Sequence, residues 1–212
     1  MSETTVVHLL RHGMVENPRR VMYGRLPNFH LSSEGVLMAK AVARHLAARD
    51  ITALFSSPLE RARETADPLA EQYGLPVTID DRLIEAANHF EGLRFGITGG
   101  LLRRPQNWVK LRNPFRPSWG EPYAEVAARM LAAMATARCA AQGHEAVCVS
   151  HQLPIWVARR EVEGVKLWHN PARRECALAS LTTFTYEGDK IVSVGYSEPV
   201  ASASRPPDVP GA

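Results

Sequence analysis

The sequence predicts an α/β fold, a three-layer α/β/α sandwich built around a mostly parallel central sheet. Short apolar runs such as residues 5–10 and 146–149 have the length and composition of buried strands. Longer segments rich in Ala and Leu, with apolar residues at helical spacing, lie between these runs. Strands that alternate with helices are typical of a parallel sheet with helices on its faces. With 212 residues and 45% hydrophobic content, the chain is long enough to bury a sizeable core.

The first half of the chain alternates strand and helix signals. Strands are predicted at residues 5–10, 51–55 and 75–79, and helices at residues 36–48 and 58–73. Ser57 is predicted to cap the second helix, with Glu60 as its capping-box partner. Pro68 is expected to kink or interrupt that helix. The Pro- and Gly-containing residues 14–31 are predicted to form a loop after the first strand.

The second half is predicted to contain a long helix, a strand, a helix and a terminal hairpin. These elements are placed at residues 123–141, 146–149 and 154–162, and at 177–186 and 190–196 around a Glu187-Gly188-Asp189 turn. Residues 86–122 are rich in Gly, Pro and aromatic residues, which predicts a packed insertion. We therefore expect one domain over residues 1–197 that contains this insertion, followed by a disordered tail at residues 198–212.

Composition argues against several classes of protein. The net charge of +3 and the absence of a long basic stripe give no indication of a nucleic-acid partner. The three cysteines are widely spaced, so neither disulfides nor a metal site is expected, and no cofactor is implied. No apolar run approaches the roughly 20 residues of a membrane helix, and the N-terminal residues lack a signal-peptide pattern. We expect a cytoplasmic protein without membrane partners, of undetermined oligomeric state, with a homodimer as one option.

Three of the predicted strands end in polar residues. Parallel strands bring such ends to one edge of the sheet, where ligands bind, and helix N-termini there attract anions. The residues are Arg11-His12-Gly13, then Ser56-Ser57 with Glu60 and Arg61 in the following helix, and Ser150-His151. Each alone fits a polar strand end without function. Together they predict a site for a phosphate or phosphoryl group.

In order and approximate spacing, these motifs resemble the histidine phosphatase superfamily, the phosphoglycerate-mutase-like group. The resemblance covers most of residues 5–160 and rests on Arg11-His12-Gly13, the run Ser56-Ser57-Pro58-Leu59-Glu60-Arg61, Leu83-Ile84-Glu85, Gly120-Glu121 and Val149-Ser150-His151. It implies a phosphoglycerate mutase-like fold, and the loop after the first motif favours the phosphatase branch.

The resemblance also implies roles for individual residues. His12 is expected to be the nucleophile that takes the phosphoryl group, with Arg11, Arg61 and His151 around the phosphoryl oxygens. Glu85 is expected to be the general acid. Asn17 corresponds to a phosphate-contacting asparagine, one residue earlier than usual. From the residues alone, Glu60, Glu91 and Glu121 remain alternative acids.

Physical chemistry is consistent with these roles. Phosphoryl transfer depends mainly on positioning and on stabilising charge at the equatorial oxygens, which two guanidiniums and an imidazolium at His151 would supply. His12 must attack through a neutral nitrogen, so its other nitrogen should donate to a backbone carbonyl. Glu85 must carry a proton, and burial or a nearby dianion would raise its pKa.

Substrate-binding candidates lie beside these motifs. Gly13 would allow close backbone approach, Tyr23 and Gly24 border the pocket, and Gln152 narrows it or donates to phosphate. Met14, Pro122 and Gln152 stand where this family commonly has an acidic residue, Ser and Gly, so the substrate class stays open. His8 and His45 are interpreted as structural, and His89 as a pocket residue.

The expected function is a metal-independent phosphomonoester hydrolase of the histidine acid-type class, acting on a small phosphorylated substrate through phosphohistidine. A phosphoglycerate-type mutase is the alternative, but the usual mutase sequence Arg-His-Gly-Glu-Ser, followed by Trp-Asn, is absent. A non-catalytic phospho-ligand binding module is a third option, against which both histidines argue. The insertion is expected to cover the site. Its basic residues, Arg94, Arg103, Arg104, Lys110, Arg112 and Arg116, are interpreted mainly as a solvated face rather than a substrate-specificity cap.

Overall fold

A six-stranded sheet forms the centre of the computed structural model, which describes residues 3–93 and 120–200. The strands are β1 (Thr4–Arg11), β2 (Ile51–Ser56), β3 (Val77–Ile79), β4 (Glu145–Ser150), β5 (Leu181–Glu187) and β6 (Lys190–Ser197). Their order across the sheet is β3-β2-β4-β1-β5-β6. The pairs among β1 to β4 are parallel, and β5 is antiparallel to both of its neighbours. The predicted mostly parallel sheet is confirmed.

Helices cover both faces of this sheet. Those in the described ranges are α1 (Ser33–Leu46), α2 (Glu60–Tyr73), α3 (Tyr123–Ala140) and α4 (Gln152–Val162), with short 3₁₀ helices at Asp81–Leu83 and Pro171–Arg173. Ser32 caps α1 by accepting a hydrogen bond from the Gly35 amide, and Gly74 ends α2 in the left-handed conformation, with φ of 64°. None of the described helices combines the length and apolarity needed to span a membrane.

The alternation of side chains along the strands divides the core into two halves. In β1, Val7 and Leu9 pack with α3 and α4, whereas Leu10 packs with α1 and α2. In β4, Cys148 faces the α3 side and Val147 the α1 side. Successive residues of a strand point to opposite faces, so two apolar half-cores require the continuous apolar runs seen in the sequence.

Two details of α2 correct the prediction. Ser57 does not cap the helix, because its hydroxyl bonds to His151 and the N-cap is Leu59, which has no side-chain cap. Glu60 accepts instead from the Asn28 amide at 3.2 Å. Pro68 does not interrupt α2, which continues to Tyr73. Pro68 is partly exposed, so the carbonyl that loses its helical donor can bond to water.

Other boundaries also shift. The first strand of the hairpin begins at Leu181 instead of residue 177, and the edge strand β3 is limited to Val77–Ile79. The predicted insertion and its six basic residues fall largely on residues 94–119, outside the described part of the chain, as do residues 201–212 of the predicted tail. An antiparallel bridge between Asn88 and Gly120 joins the two described ends of the insertion.

Replacing Leu9 by Ala is expected to lower the free energy of unfolding by about 2–5 kcal/mol, since it leaves a cavity in a closely packed core. Leu9 is 0% exposed. Leu37→Ala in α1 is the matched control: Leu37 is 65% exposed, and its loss should change stability by no more than about 0.5 kcal/mol. Urea unfolding measures both, and similar losses would contradict the placement of β1 in the core.

Candidate active site

The register of the parallel strands brings the polar junctions to one edge of the sheet. Arg11 in β1 lies opposite Ser150 in β4. The ladder continues past the strands, since the His12 amide donates to the Ser150 carbonyl at 3.1 Å and the Ser57 amide donates to the Val149 carbonyl at 2.9 Å. The residues that follow β1, β2 and β4 therefore meet, as the sequence predicts.

His12 is fully buried and held in one tautomer. Its Nδ1 lies 2.7 Å from the Gly13 carbonyl oxygen, which can only accept, so Nδ1 carries the proton. This is the backbone contact predicted for a nucleophilic histidine. Burial, with the charges of Arg61 and Arg11, lowers the pKa of His12 well below its ordinary range. Nε2 therefore presents a lone pair and has no hydrogen-bond partner among the described residues.

Close backbone packing fixes the loop that carries His12. A Cβ on Gly13 would lie 2.7 Å from the carbonyl oxygen of Gly35 in the first turn of α1, which leaves room only for glycine. The Gly13 amide also donates to Thr65 Oγ1 at 3.1 Å. The close approach predicted for Gly13 is thus made to the protein's own backbone. A role for Gly13 in substrate binding stays a prediction.

Arg61 lies in the first turn of α2, and its guanidinium is fully buried. Nη2 donates to the Gly24 carbonyl at 2.6 Å and lies 3.2 Å from His151 Nδ1. The guanidinium carbon sits 4.7 Å from the centre of the Tyr23 ring. Tyr23 and Gly24, predicted to border the pocket, thereby hold the arginine. Arg61 Nε and Nη1 have no hydrogen-bond partner in the described part of the chain.

His151 is also buried, and its ring centre lies 5.2 Å from that of His12. Because Nδ1 accepts from Arg61, Nε2 carries the proton and donates to Ser57 Oγ at 2.8 Å. Burial and the charge of Arg61 lower the pKa of His151 well below its ordinary range. The neighbouring cations thus favour a neutral ring at this position, and the imidazolium expected around a bound phosphoryl group stays a prediction.

Arg11 completes the pair of buried guanidiniums at this edge. Its Nη1 donates to the Cys176 carbonyl at 2.7 Å. Cys176 precedes β5, and because β5 is antiparallel to β1, the segment before β5 lies at the edge where β1 ends. The carbonyl that orients Arg11 thus comes from a part of the chain 165 residues away.

Glu85 is a buried carboxyl group held by its backbone. Its Oε1 accepts from the Ala86 amide at 2.8 Å, and its carbonyl accepts from Arg25 Nε at 2.6 Å. Ser150 Oγ holds the same segment by donating to the Leu83 carbonyl at 2.7 Å. Burial raises the pKa of Glu85, against the opposing effects of the Ala86 amide and nearby arginines. The raised pKa shifts this carboxyl toward the protonated form that a general acid needs.

The alternative acids are engaged elsewhere. Glu121 forms ion pairs with Arg25 at 2.8 Å and Arg129 at 2.7 Å. Glu91 accepts from the Arg25 amide at 3.0 Å, and Glu60 accepts from the amide of Asn28 in the first loop. Among the carboxylates that the sequence left open, the structure places Glu85 in the buried environment beside the arginines.

The other predicted substrate-binding residues are either bonded within the protein or exposed. Asn17 closes its own loop by bonding twice to the Val21 backbone, at 2.8 and 3.1 Å. Gln152 Nε2 donates to the Cys176 carbonyl at 3.4 Å. His89 is exposed. Contacts of Asn17, Gln152 and His89 with a substrate stay predictions. The structural role expected of His8 fits its bond to Glu145 at 2.8 Å, whereas His45, for which the same role is expected, lies exposed on α1.

Two residues of the site were missed in the sequence. Thr65 accepts from the Gly13 amide and donates to the Arg61 carbonyl at 2.7 Å, joining the first loop to α2. Its spacing of four residues from Arg61 on one helix face was the available signal. Arg174 contacts Gln152, whose Oε1 accepts a hydrogen bond from Arg174 Nη1 at 3.2 Å. Its position shortly before an antiparallel strand that pairs with β1 was the signal there.

The assembled site suits a doubly charged phosphoryl group. Two buried guanidiniums supply positive charge, a neutral imidazole presents a lone pair, and burial raises the pKa of a nearby carboxyl. Within residues 3–93 and 120–200, no group of three or more His, Cys, Asp or Glu side chains is arranged to hold a metal ion.

Comparison with known proteins identifies similar chains. A family model for the histidine phosphatase superfamily (branch 1) matches residues 7–199. The uncharacterized protein Rv0525 of Mycobacterium tuberculosis is 56% identical over 201 residues, which are 95% of this chain and 100% of that protein. A probable phosphoglycerate mutase, GpmB of Escherichia fergusonii, is 27% identical over 90% of this chain and 89% of its own.

A solved structure shows the same fold. The mycobacterial glucosyl-3-phosphoglycerate phosphatase Rv2419c matches with a TM-score of 0.71 and 27% identity, over 95% of this chain and 100% of its own. The predicted resemblance and its fold are confirmed, and the similar proteins include both a phosphatase and a probable mutase.

Glu85→Gln is expected to gain stability relative to the wild type as pH rises. Because burial raises the folded-state pKa of Glu85 above its ordinary value of 4.5, the stability that its protonated form contributes is present below about pH 4.5 and is lost as pH rises through the folded-state pKa. Glutamine stays neutral throughout. The difference in unfolding free energy should grow by about 1.4 kcal/mol per unit of pKa shift, measured by urea unfolding across pH 4.5 to 8.

Asp80→Asn provides a control of opposite sign. Hydrogen bonds from Arg82 lower the pKa of Asp80, so its contribution to stability is present at neutral pH and is lost as pH falls through the folded-state pKa. A Glu85→Gln difference that is constant with pH would show that the Glu85 carboxyl ionises as freely as it does in the unfolded chain.

Proposed function

The chain belongs to the histidine phosphatase superfamily, and from this premise we propose that it is a metal-independent phosphomonoester hydrolase that acts through a phosphohistidine on His12. The observation that carries the proposal is the buried Nε2 of His12. Its lone pair faces no partner among the described residues, while Nδ1 is tied to the Gly13 carbonyl. A neutral imidazole fixed in this tautomer beside two guanidiniums is equipped to attack phosphorus.

In the first step, the phosphoryl group of the substrate lies against Arg11 and Arg61. Arg61 Nε and Nη1 are buried donors without a partner in the described residues, and they suit two of its oxygens. A bond forms between His12 Nε2 and phosphorus as the ester P–O bond breaks. The electron pair of that bond leaves on the ester oxygen, which takes the proton of Glu85.

In the second step, water replaces the alcohol. The Glu85 carboxylate takes a proton from water, the water oxygen attacks phosphorus, and the P–N bond breaks. Inorganic phosphate leaves, and His12 returns to its neutral form with Glu85 protonated. The raised pKa of Glu85 supports both halves of this cycle, because the same group must release and regain a proton near neutral pH.

His151 is placed to respond to the phosphoryl charge. Its ring is neutral because of burial and Arg61, and a dianion in the pocket would reverse part of that effect by favouring the protonated ring. Once the substrate is bound, a protonated His151 would be a third cation, beside Arg11 and Arg61, that stabilises the negative charge on the oxygens in the transition state.

Hydrolysis is preferred over intramolecular transfer because of the first loop. Arg11-His12-Gly13 continues with Met14 and Val15, where mutases of this family continue with Glu and Ser. The similar phosphatase of known structure acts, by its name, on glucosyl-3-phosphoglycerate, and the similar GpmB chain is named a probable phosphoglycerate mutase. Cytoplasmic location, lack of nucleic-acid or membrane partners and a possible homodimer stay predictions.

His12→Ala is expected to lower the rate of phosphate release from an aryl phosphate by at least about a thousandfold, since the nucleophile is lost. The wild type should keep its activity in the presence of a chelator, across pH 4 to 8. His45→Ala removes an exposed histidine on α1 and should keep the wild-type rate. Wild-type protein that converts one phosphoglycerate to its isomer without releasing phosphate would establish the mutase, and full activity of His12→Ala would overturn the mechanism.

Glu85→Gln should slow the first turnover in proportion to the basicity of the leaving group. For an alkyl phosphate, whose alkoxide needs a proton, a loss of about a hundredfold to ten-thousandfold is expected. For p-nitrophenyl phosphate, whose phenolate leaves unaided, the loss should stay below about tenfold. Single-turnover measurements separate this step from dephosphorylation. Equal losses for both substrates would assign the acid to another group.

A further inference from the structure

We propose that Arg174 is a substrate-binding residue that recognises a second anionic group, a carboxylate or a second phosphate, on the substrate. This inference rests on the proposed function and narrows its substrate to phosphomonoesters that carry another negative charge near the ester. Arg174 is far from the motifs in sequence, and its role follows from the contacts that place it beside the phosphoryl pocket.

A short chain of hydrogen bonds joins Arg174 to the pocket. Arg11 Nη1 donates to the Cys176 carbonyl at 2.7 Å, and Gln152 Nε2 donates to the same oxygen at 3.4 Å. Gln152 Oε1 accepts from Arg174 Nη1 at 3.2 Å. Gln152, which replaces the glycine common at this position of the family, is thus the link between the two arginines. Arg174 is also electrostatically coupled to both Arg11 and Glu85.

One side of the Arg174 guanidinium is held rigidly by His169. Arg174 Nε donates to His169 Nε2 at 2.9 Å, and His169 Nδ1 donates to the Leu167 carbonyl at 2.6 Å. Burial lowers the pKa of His169 to about 4, so the ring stays neutral and remains an acceptor at physiological pH. The ring of Tyr123 lies 5.4 Å from that of His169 and supports it. A guanidinium fixed in this way loses little further freedom when it binds a ligand.

Arg174 also lacks the carboxylate partner that comparable arginines have. In the described ranges, Arg82, Arg129 and Arg159 each form an ion pair with Asp or Glu, and Arg174 forms none. The neighbouring Glu175 pairs with Arg159 at 2.7 Å instead. The partners of Arg174, His169 and Gln152, are neutral. No carboxylate of the described ranges lies within ion-pair distance of the partly exposed Arg174 guanidinium, so an anionic group of a ligand can take that place.

The charge balance of the site fits this assignment. Arg11 and Arg61 together match the two negative charges of a phosphoryl group. Arg174 adds a third guanidinium near this pair, beyond the two that the phosphoryl charge needs. The planar fork of a guanidinium binds carboxylate and phosphate oxygens in pairs. A substrate with one more anionic group therefore completes the site.

Calorimetric titration with non-hydrolysable phosphonates tests the proposal. Alkylphosphonates are compared with phosphonates of equal length that end in a carboxylate or a second phosphonate, over chains of one to three methylene groups. The wild type should bind at least one doubly functional ligand about tenfold or more tightly than its alkyl counterpart, as expected for a charge-assisted pair. Arg174→Gln should bring that ratio close to one, and Arg174→Lys should keep part of it. Arg173→Gln, which removes an exposed neighbouring charge, should keep the wild-type ratio.

The ratio separates recognition from structure, because a variant that only disturbs packing weakens both ligands alike. A wild-type ratio near one for every pair, or an Arg174→Gln ratio equal to that of Arg173→Gln, would overturn the proposal. A wild type that shows the ratio but does not hydrolyse aryl phosphates would overturn the hydrolase and leave the second anion site standing. Folded wild-type protein that binds none of the phosphonates would overturn both.

Discussion

The buried guanidinium of Arg61 is the contact on which the site depends. A charge removed from water must be compensated, and here a carbonyl, an imidazole nitrogen and an aromatic face do so. These partners come from two distant segments: Gly24 and Tyr23 from the first loop, and His151 from the start of α4. Thr65 ties the same arginine to the loop of His12. One residue on the first turn of α2 thereby contacts the first loop and the start of α4 through its side chain, and the loop of His12 through Thr65.

The electrostatic design combines permanent cations with titratable groups that are held neutral. The arginines remain charged at any accessible pH, whereas burial and their field lower the pKa of His12 and His151, and burial raises that of Glu85. A neutral nucleophile and a protonated acid are the forms that phosphoryl transfer to nitrogen requires. Burial therefore shifts both groups toward the forms that the proposed mechanism uses. A bound dianion would then change the balance again, in favour of a charged His151.

Segments outside the sheet motifs determine what surrounds this centre. Arg25 bonds to the backbone of Glu85 and pairs with Glu121, so it connects the acid to the point where the chain returns toward α3. On the other side, the segment before β5 contributes two residues. The Cys176 carbonyl accepts from Arg11, and Arg174 donates to the Gln152 side chain. The centre of the candidate site is thus formed by the strand-end motifs, whereas the residues around it lie on connecting segments, which are where binding residues are often found.

The sequence by itself determined the sheet, the order of its elements and the central part of the site. Buried strands are recognisable from local composition. Arg11 ends β1, His12 and His151 directly follow β1 and β4, and Arg61 lies in the first turn of the helix after β2, so parallel pairing brings them to one edge. The bond from His12 to a backbone carbonyl was predictable from the neutral nitrogen that a nucleophile needs, and the structure identifies the carbonyl as that of the adjacent Gly13. Only the tertiary structure decided the rest. Ser57 bonds to His151 instead of capping α2, and burial beside the arginines separates Glu85 from the three other candidate carboxylates. Arg174 is held near the site by His169. Each of these outcomes depends on burial and on partners that are distant in the chain. The local sequence pattern shows which residues lie at the end of a strand. Their desolvation and their long-range hydrogen bonds depend on the segments that pack against them in the folded protein.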